Sequence, residues 1–154
     1  KVDKFHTKNR YVLAESGDEI VGMICWHDQA PFSVVDKYPP IMERIEAGAR
    51  VAEIRLFATR ADQRGTPVSW GLLGHALHAM SLDEGYDYYI ISGIESRRGH
   101  YERIGFEAVS GPKRSGEASF LPMVATRDSF LAGERQRLAP MAAQVQAWRA
   151  TGAI

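Results

Sequence analysis

"HYERIGFEAV", residues 100–109, changes its structural pattern at its centre. Residues 95–104 have the composition of a short helix, and Gly105 is suited to end it because glycine adopts the left-handed conformation common after a helix C-terminus. Phe106 then opens a strand-like run that ends at Val109. The stretch therefore predicts a short helix, a glycine turn and a strand in immediate succession.

Strands are predicted on both sides of this unit. "YDYYIIS", residues 86–92, is rich in aromatic and β-branched side chains, which favour strands. Residues 119–126 form a second strand-like run. Between that run and Val109 lies "SGPKRSGEA", residues 110–118, whose glycine, proline and serine content predicts a mobile loop.

Further upstream, "RVAEIRLFAT", residues 50–59, alternates as a strand does and places Glu53 and Arg55 on the same face. The pattern changes at Thr66, which suits a helix cap and is followed by a proline that suits the first helical turn. Apolar residues then recur at helical spacing until Gly85. This part of the chain predicts a strand, a turn and a long helix.

The N-terminal part predicts a hairpin, because β-prone runs at residues 11–15 and 19–27 are joined by Ser-Gly-Asp. Residues 29–40 contain three prolines and show no periodicity, so they predict a long loop, and long loops in compact domains are often functional. Residues 41–47 predict a short helix that Gly48 ends.

The length of 154 residues fits one domain, which we place at residues 1–128. Residues 129–154 predict a helical extension or linker, in which Met141, Val145 and Trp148 share one helical face. This tail is expected to dock on the domain itself, on a second copy of the chain, or on a neighbouring domain of a fusion protein.

Composition excludes some functions. The chain has 19 basic and 19 acidic residues, so its net charge attracts neither nucleic acid nor a membrane surface. No apolar run approaches the length of a membrane span. The single cysteine, Cys25, lies in an apolar run, which predicts a core position, no disulfide framework and a cytoplasmic protein.

Two further groups of residues are candidate sites. His75 and His78 are three apart on the predicted helix, but no third ligand is placed to complete a metal site, so no metal is expected. Four aromatic residues are candidates for an acyl channel, although core packing is the simpler interpretation: Trp26, Tyr86, Tyr88 and Tyr89.

The order of these elements and the motif "HYERIGFEAV" resemble the GCN5-related N-acetyltransferase (GNAT) superfamily over residues 11–126. "EIVGMICW", residues 19–26, resembles the second strand of that family's hairpin. Within the superfamily, "HYERIGF" is similar to the long-chain N-acyl amino acid synthases. The resemblance implies an α/β (α+β) fold with a mixed, mostly antiparallel central sheet flanked by helices, from which the family's N-terminal helices are missing.

By the same resemblance, the protein is expected to be an N-acyltransferase. It would move an acyl group from acyl-CoA, or from an acyl carrier protein, to a small-molecule amine by direct attack. Tyr101 matches the family's tyrosine acid, with a packed core tyrosine as the alternative. Glu53 is the candidate base, with a surface ion pair to Arg55 as the alternative, and His27 and His100 are further candidate bases.

The turn "RADQRGTPVSWG", residues 60–71, is the candidate donor site. A helix N-terminus exposes unpaired N–H groups and partial positive charge, which suit a pyrophosphate. The predicted donor-binding residues are Arg60, Arg64, Gly65, Thr66, Val68 and Ser69. The family's glycine-rich loop is only partly matched, because Pro67 stands where a further small residue is usual.

Two other interpretations remain open at this point. The turn can simply start a helix, with its arginines solvated. The whole domain can also be a GNAT-like ligand-sensing or interaction module of a larger protein that carries out no chemistry. The altered loop and the apolar face of the tail favour that alternative function.

Overall fold

We describe the protein from a computed structural model, which covers residues 3–64, 66–78, 80 and 84–138. The strands are β1 (Arg10–Ser16), β2 (Glu19–His27), β3 (Val51–Thr59), β4 (Tyr88–Ile94), β5 (Glu107–Ala108), β6 (Lys113–Ser115) and β7 (Ala118–Thr126). The α-helices are α1 (Ser33–Lys37), α2 (Pro67–His78), α3 (Arg98–Arg103) and α4 (Arg127–Leu138). Short 3-10 helices cover Pro39–Arg44, Ala61–Gln63 and Glu95–Arg97.

The strands form one seven-stranded sheet in the order β1-β2-β3-β4-β7-β5, with β6 paired to β7. Neighbouring strands run antiparallel except at the centre, where β3 and β4 are parallel. The predicted fold class, a mixed and mostly antiparallel sheet with flanking helices, is confirmed. No helix precedes β1 within the described residues, where residues 4–8 form turns.

Alternation along the strands gives the sheet two apolar faces. Ala52 of β3 and Tyr89 of β4 belong to the larger buried cluster, which includes Leu72 of α2. Ile90 of β4 faces the other way and packs with Val34 of α1. Helices α2 and α4 therefore cover one face of the sheet, and α1 covers the other.

Several predicted boundaries differ from the structure. The predicted loop at residues 29–40 contains α1, which forms because Val34 is an apolar residue that the sheet can bury completely. The predicted helix at 41–47 is the 3-10 helix Pro39–Arg44. The predicted mobile loop at 110–118 contains β6, which pairs with β7 around a turn.

The helix predicted to begin at Thr66 is confirmed as α2, which begins at Pro67. Among the described helices, none is long and apolar enough to span a membrane. The short helix predicted at residues 95–104 is likewise found, as the 3-10 helix Glu95–Arg97 and α3, and the strand predicted at residues 106–109 is the shorter β5.

Helix α4 begins directly after β7 and packs on the sheet. Phe130 is fully buried, with its ring 4.6 Å from that of Tyr89 and 5.4 Å from that of Phe106. The domain boundary predicted between residues 128 and 129 falls inside this helix. The apolar tail face with Met141, Val145 and Trp148 lies outside the described residues.

Candidate active site

The two central strands separate part-way along their length. β3 and β4 pair at Val51 with Tyr88, Ala52 with Tyr89, and Glu53 with Ile90. Beyond Glu53 and Ile90 the described residues of the two strands share no further pairing, although β3 runs on to Thr59 and β4 to Ile94. Pairing in the middle of the sheet therefore ends towards the carboxyl ends of its parallel strands, and the space between their unpaired parts is called the cleft.

A β-bulge lies on β3 within the separated part. Cys25 pairs with Arg55 and Met23 with Ala58, so three steps along β3 match two along β2. Leu56 occupies the bulge and has a positive φ of 51°, which is uncommon for a residue with a side chain. The bulge interrupts the strict alternation predicted for residues 50–59 and re-aims the chain beside the cleft.

Three apolar side chains stand exposed along the separated strands. Leu56 is 44% exposed, Phe57 40% and Ile94 58%. Because exposed apolar side chains beside a possible ligand site can contact an apolar ligand, these residues are candidates for contact with an acyl chain or another apolar part of a ligand. The sequence did not reveal them, since Leu56 and Phe57 continue a strand pattern and Ile94 lies beyond the strand predicted at residues 86–92.

Tyr101 on α3 places its phenol at the cleft. Its hydroxyl accepts a hydrogen bond of 3.3 Å from the backbone N–H of Ile94, the last residue of β4. Its ring packs on Gly93, where a Cβ would lie 2.9 Å from the ring. The alternative of a packed tyrosine therefore holds in part, because the partly buried ring packs against the core while the hydroxyl lies at the end of β4.

The turn before α2 is tied together by its own hydrogen bonds. The hydroxyl of Thr66 accepts from the N–H of Val68 at 3.3 Å and donates to the carbonyl of Gln63 at 2.7 Å. The hydroxyl of Ser69 donates to the same carbonyl at 3.2 Å. Thr66 is thus the predicted helix cap, and both hydroxyls have partners within the chain.

Arg60 is held by two carboxylates. Its guanidinium donates to both carboxylate oxygens of Asp62 at 2.7 and 2.8 Å and pairs with Glu19 of β2. The hydrogen bond from Arg60 holds the pKa of Asp62 below its ordinary value. Arg64 is exposed, and Gly65 lies outside the described residues. The local positive charge predicted for this turn is therefore largely balanced by Asp62 and Glu19.

Glu53 is the most completely bonded carboxylate near the cleft. Its Oε1 accepts from the hydroxyl of Ser33 at 2.6 Å and from the N–H of Val34 at 2.8 Å, and its Oε2 accepts from the N–H of Ser33 at 2.7 Å. The Nε2 atom of His27 lies 3.1 Å from Oε2. Glu53 is 1% exposed, so it is enclosed between β3 and α1.

The hydrogen bonds to Glu53 determine the ionisation state of its carboxyl group. Burial by itself raises the pKa of Glu53, but the contacts with His27, Ser33 and Val34 outweigh burial and hold the pKa below its ordinary value. The alternative interpretation of Glu53, a surface ion pair with Arg55, is wrong, because Glu53 is buried and Arg55 pairs with Asp3 at 3.1 Å. Whether Glu53 accepts a proton during a reaction stays a prediction.

The histidine candidates occupy different positions. His27 is fully buried between the rings of Phe5 and Phe32, at 5.7 and 5.4 Å, and its Nδ1 has no hydrogen-bond partner among the described residues. His100 precedes Tyr101 on α3, with the two rings 5.9 Å apart. The side chains of His75 and His78 are not described, and no three metal-ligating side chains meet in the described part of the chain.

The remaining candidates lie in the core or in the network at its edge. Cys25 is fully buried, and burial raises its pKa to about 12, so it is not an activated thiol. Trp26 and Tyr89 belong to the core cluster. Tyr86 is buried as well, and its hydroxyl donates to Asp28 at 2.9 Å.

Comparisons with known proteins bear on the fold. No family model matches the sequence, and no curated protein matches it. Solved structures do match. One is FeeM, an N-acyl amino acid synthase from uncultured soil microbes, with 20% identity over 86% of this chain and 84% of that chain and a TM-score of 0.71.

Two further structures share this architecture. BjaI, a CoA-dependent acyl-homoserine lactone synthase, is 16% identical over 90% of this chain and 68% of its own, with a TM-score of 0.68. A putative N-acetyltransferase from Lactobacillus plantarum is 19% identical over 75% of this chain and 67% of its own, with a TM-score of 0.55. The structural neighbours are GNAT-fold acyltransferases, and the chain described here has the GNAT fold.

Proposed function

We propose that the protein is an N-acyltransferase that moves an acyl group from a thioester donor, acyl-CoA or an acyl carrier protein, to a small-molecule amine. One observation carries the proposal: β3 and β4 separate after three paired residues, and the hydroxyl of Tyr101 is held at the end of β4 beside the opening. The FeeM and BjaI structures, one an N-acyl amino acid synthase and one a CoA-dependent synthase, support acyl transfer on this fold.

The chemistry needs no covalent enzyme intermediate. The nitrogen of the neutral amine attacks the thioester carbonyl, the C–N bond forms, and collapse of the tetrahedral intermediate breaks the C–S bond. The nitrogen loses a proton to solvent or to a base, and Tyr101 gives its phenolic proton to the departing thiolate. Tyr101 then regains a proton from solvent, so the protein ends unchanged.

The donor is proposed to lie along the separated edge of β3 and to reach the start of α2. Backbone groups of β3 beyond Glu53 have no strand partner on the β4 side within the described residues, so they are available to hold an extended thioester arm and to polarise its carbonyl. Arg64 and the N-terminal turn of α2 face the donor's phosphates in this arrangement. Exposed Leu56, Phe57 and Ile94 offer apolar contact to the acyl group.

The experiment that tests this function combines binding with turnover. The chain is titrated calorimetrically with coenzyme A and with acetyl and long-chain acyl thioesters, and release of free thiol is then followed with a panel of amines, amino acids included. Saturable binding with amine-dependent thiol release is expected. Should coenzyme A thioesters fail, the same panel is run with an acylated carrier protein, and failure of both donors contradicts the proposal.

A second function is favoured by one observation. Arg60 is paired with Asp62 and Glu19, and the hydroxyls of Thr66 and Ser69 already have partners, so the turn is complete without a ligand. A GNAT-like sensing or interaction module that performs no chemistry would need no further partner for the residues of this turn. A folded protein that neither binds nor consumes any thioester supports this module.

A further inference from the structure

We propose that Glu53 is a positioning residue, which fastens α1 to β3 and thereby builds the acceptor side of the cleft. The acceptor part of this inference rests on the proposed function, whereas the fastening of α1 does not. It replaces the role of general base that the sequence suggested for Glu53.

The carboxylate joins two elements that are far apart in sequence. It accepts three hydrogen bonds of 2.6 to 2.8 Å, all from Ser33 and Val34 at the first turn of α1. Two of the donors are backbone N–H groups that the helix itself leaves unpaired. Glu53 therefore does for α1 what a capping side chain does, from a strand 19 to 20 residues away.

The fastening lies where the cleft begins. Glu53 and Ile90 form the last β3–β4 pair before the strands separate, and Ile90 packs with Val34 in the smaller buried cluster. Helix α1 is consequently held against the sheet beside the last β3–β4 pair, where the cleft begins. It lies on the face of the sheet opposite α2. A ligand that entered the cleft from that face would meet the segment that Glu53 holds.

The environment of the carboxylate argues against proton transfer with a substrate. A general base has to lie within hydrogen-bond reach of the proton it removes, directly or through one water. Glu53 is 1% exposed, both of its oxygens are occupied, and His27 closes its remaining side between the rings of Phe5 and Phe32. An acceptor amine would have to displace α1 to reach it.

Hydrogen exchange tests the fastening without any activity. In Glu53→Gln, the amide group brings an N–H donor against the donors of α1, so we expect amides of residues 29–40 to exchange at least tenfold faster than in the wild type, while β4 and β7 stay protected. Ser33→Ala removes one donor and keeps the carboxylate, so a smaller acceleration in the same segment is expected. Glu43→Gln, an exposed glutamate in the next helical turn, serves as the control and leaves exchange unchanged.

If Glu53→Gln does not fold, Ser33→Ala carries the test alone. Unchanged exchange of residues 29–40 in every folded variant overturns the proposal, whether or not the protein is an enzyme.

Kinetics separate positioning from base catalysis once turnover is measured. Positioning predicts that Glu53→Gln raises KM for the amine at least tenfold, changes kcat by less than threefold, and keeps the acid limb of the pH profile of kcat/KM. A fall in kcat of a hundredfold or more with loss of that limb, and with normal exchange, identifies Glu53 as the base and overturns the inference. Absence of turnover in the wild type bears on the proposed function only.

Discussion

Tyr101 is the single side chain on which the proposed chemistry depends most. Tyr101→Phe removes the proton donor and keeps the ring that packs on Gly93. We expect kcat to fall by about 10²-fold, the lower end for loss of a positioned acid, with donor affinity nearly unchanged. The lost hydrogen bond from Ile94 costs about 1 kcal/mol of stability.

The measurement is steady-state thiol release, with thermal unfolding beside it. Tyr11→Phe is the matched control, because that phenol contacts His6 and Asn9 away from the cleft. Turnover at the wild-type rate in Tyr101→Phe would remove this tyrosine from the mechanism.

The charges around Arg60 make a second prediction at this scale. In the double variant Glu19→Gln, Asp62→Asn, the guanidinium loses both carboxylate partners and becomes available to a phosphate. We expect coenzyme A to bind roughly tenfold more tightly at low salt, because a guanidinium freed from its carboxylate partners can donate charge-assisted hydrogen bonds to a phosphate. The gain should shrink near 1 M salt, where screening is nearly complete.

Calorimetric titration at two salt concentrations measures this effect. Asp18→Asn, in the turn beside Glu19, is the control for a general loss of negative charge. Equal affinity in the double variant and the wild type would mean that Arg60 does not meet the donor.

At the scale of elements, the attachment of α1 should depend on pH. The pKa of Glu53 is lower in the folded chain than its ordinary value of 4.5, so its ionised form stabilises the fold above that pH. The contribution is lost as the pH falls through the folded-state value. Glu53→Gln should therefore be less stable than the wild type at neutral pH, and the difference should narrow below pH 4.5.

Denaturant unfolding of both proteins between pH 3 and pH 7, on the order of half-unit steps, measures the difference. Both proteins keep His27 on β2 and the Arg55–Asp3 pair, so the comparison isolates the change at residue 53. A difference in stability that stays constant with pH would contradict a lowered pKa.

The crossing of two elements explains the glycine in HYERIGF. Gly105 has a φ of 93°, and a Cβ there would lie 2.2 Å from the backbone carbonyl oxygen of Ser129 on α4. Gly105→Ala should cost about 2 to 4 kcal/mol, because it adds backbone strain and pushes α4 away from the α3–β5 turn. Gly111→Ala, where a Cβ meets nothing within 4 Å, should change stability by less than about 0.5 kcal/mol.

Thermal or denaturant unfolding compares the two glycine variants. Equal stabilities would show that the turn and α4 can move apart without cost. The glycine in HYERIGF would then not be explained by its contact with α4.

For the whole molecule, the main question is where the domain ends. Phe130 is fully buried against Tyr89 and Phe106, so α4 completes the larger apolar cluster. Phe130→Ala should lower the free energy of unfolding by about 3 to 5 kcal/mol, as expected for removing a buried aromatic ring. Leu13→Ala, at an exposed site on the edge strand, is the control and should have little effect.

Chemical denaturation of both variants provides the measurement. A loss below about 1 kcal/mol in Phe130→Ala would mean that the domain is stable without α4. The boundary predicted near residue 128 would then separate the domain from an extension that it does not need for stability.

Local patterns in the sequence determined much of the fold. The strand within residues 50–59, the Thr-Pro start of α2 and the helix-glycine-strand order of HYERIGFEAV each depend on neighbours within a few positions, and each was found where predicted, although a bulge interrupts the alternation of the strand. The bulge at Leu56 and the helix α1 were missed, because both depend on partners elsewhere in the chain.

The same distinction between local pattern and tertiary packing applies to the candidate active site. The sequence by itself determined that Tyr101 and the turn before α2 are candidates, because a motif and a helix start are local features. Only the tertiary structure decided that Glu53 is buried under Ser33 and that Arg60 is paired with Glu19. Hydrogen bonds and ion pairs between residues 20 or more positions apart depend on how strands and helices pack, and no local pattern encodes that packing.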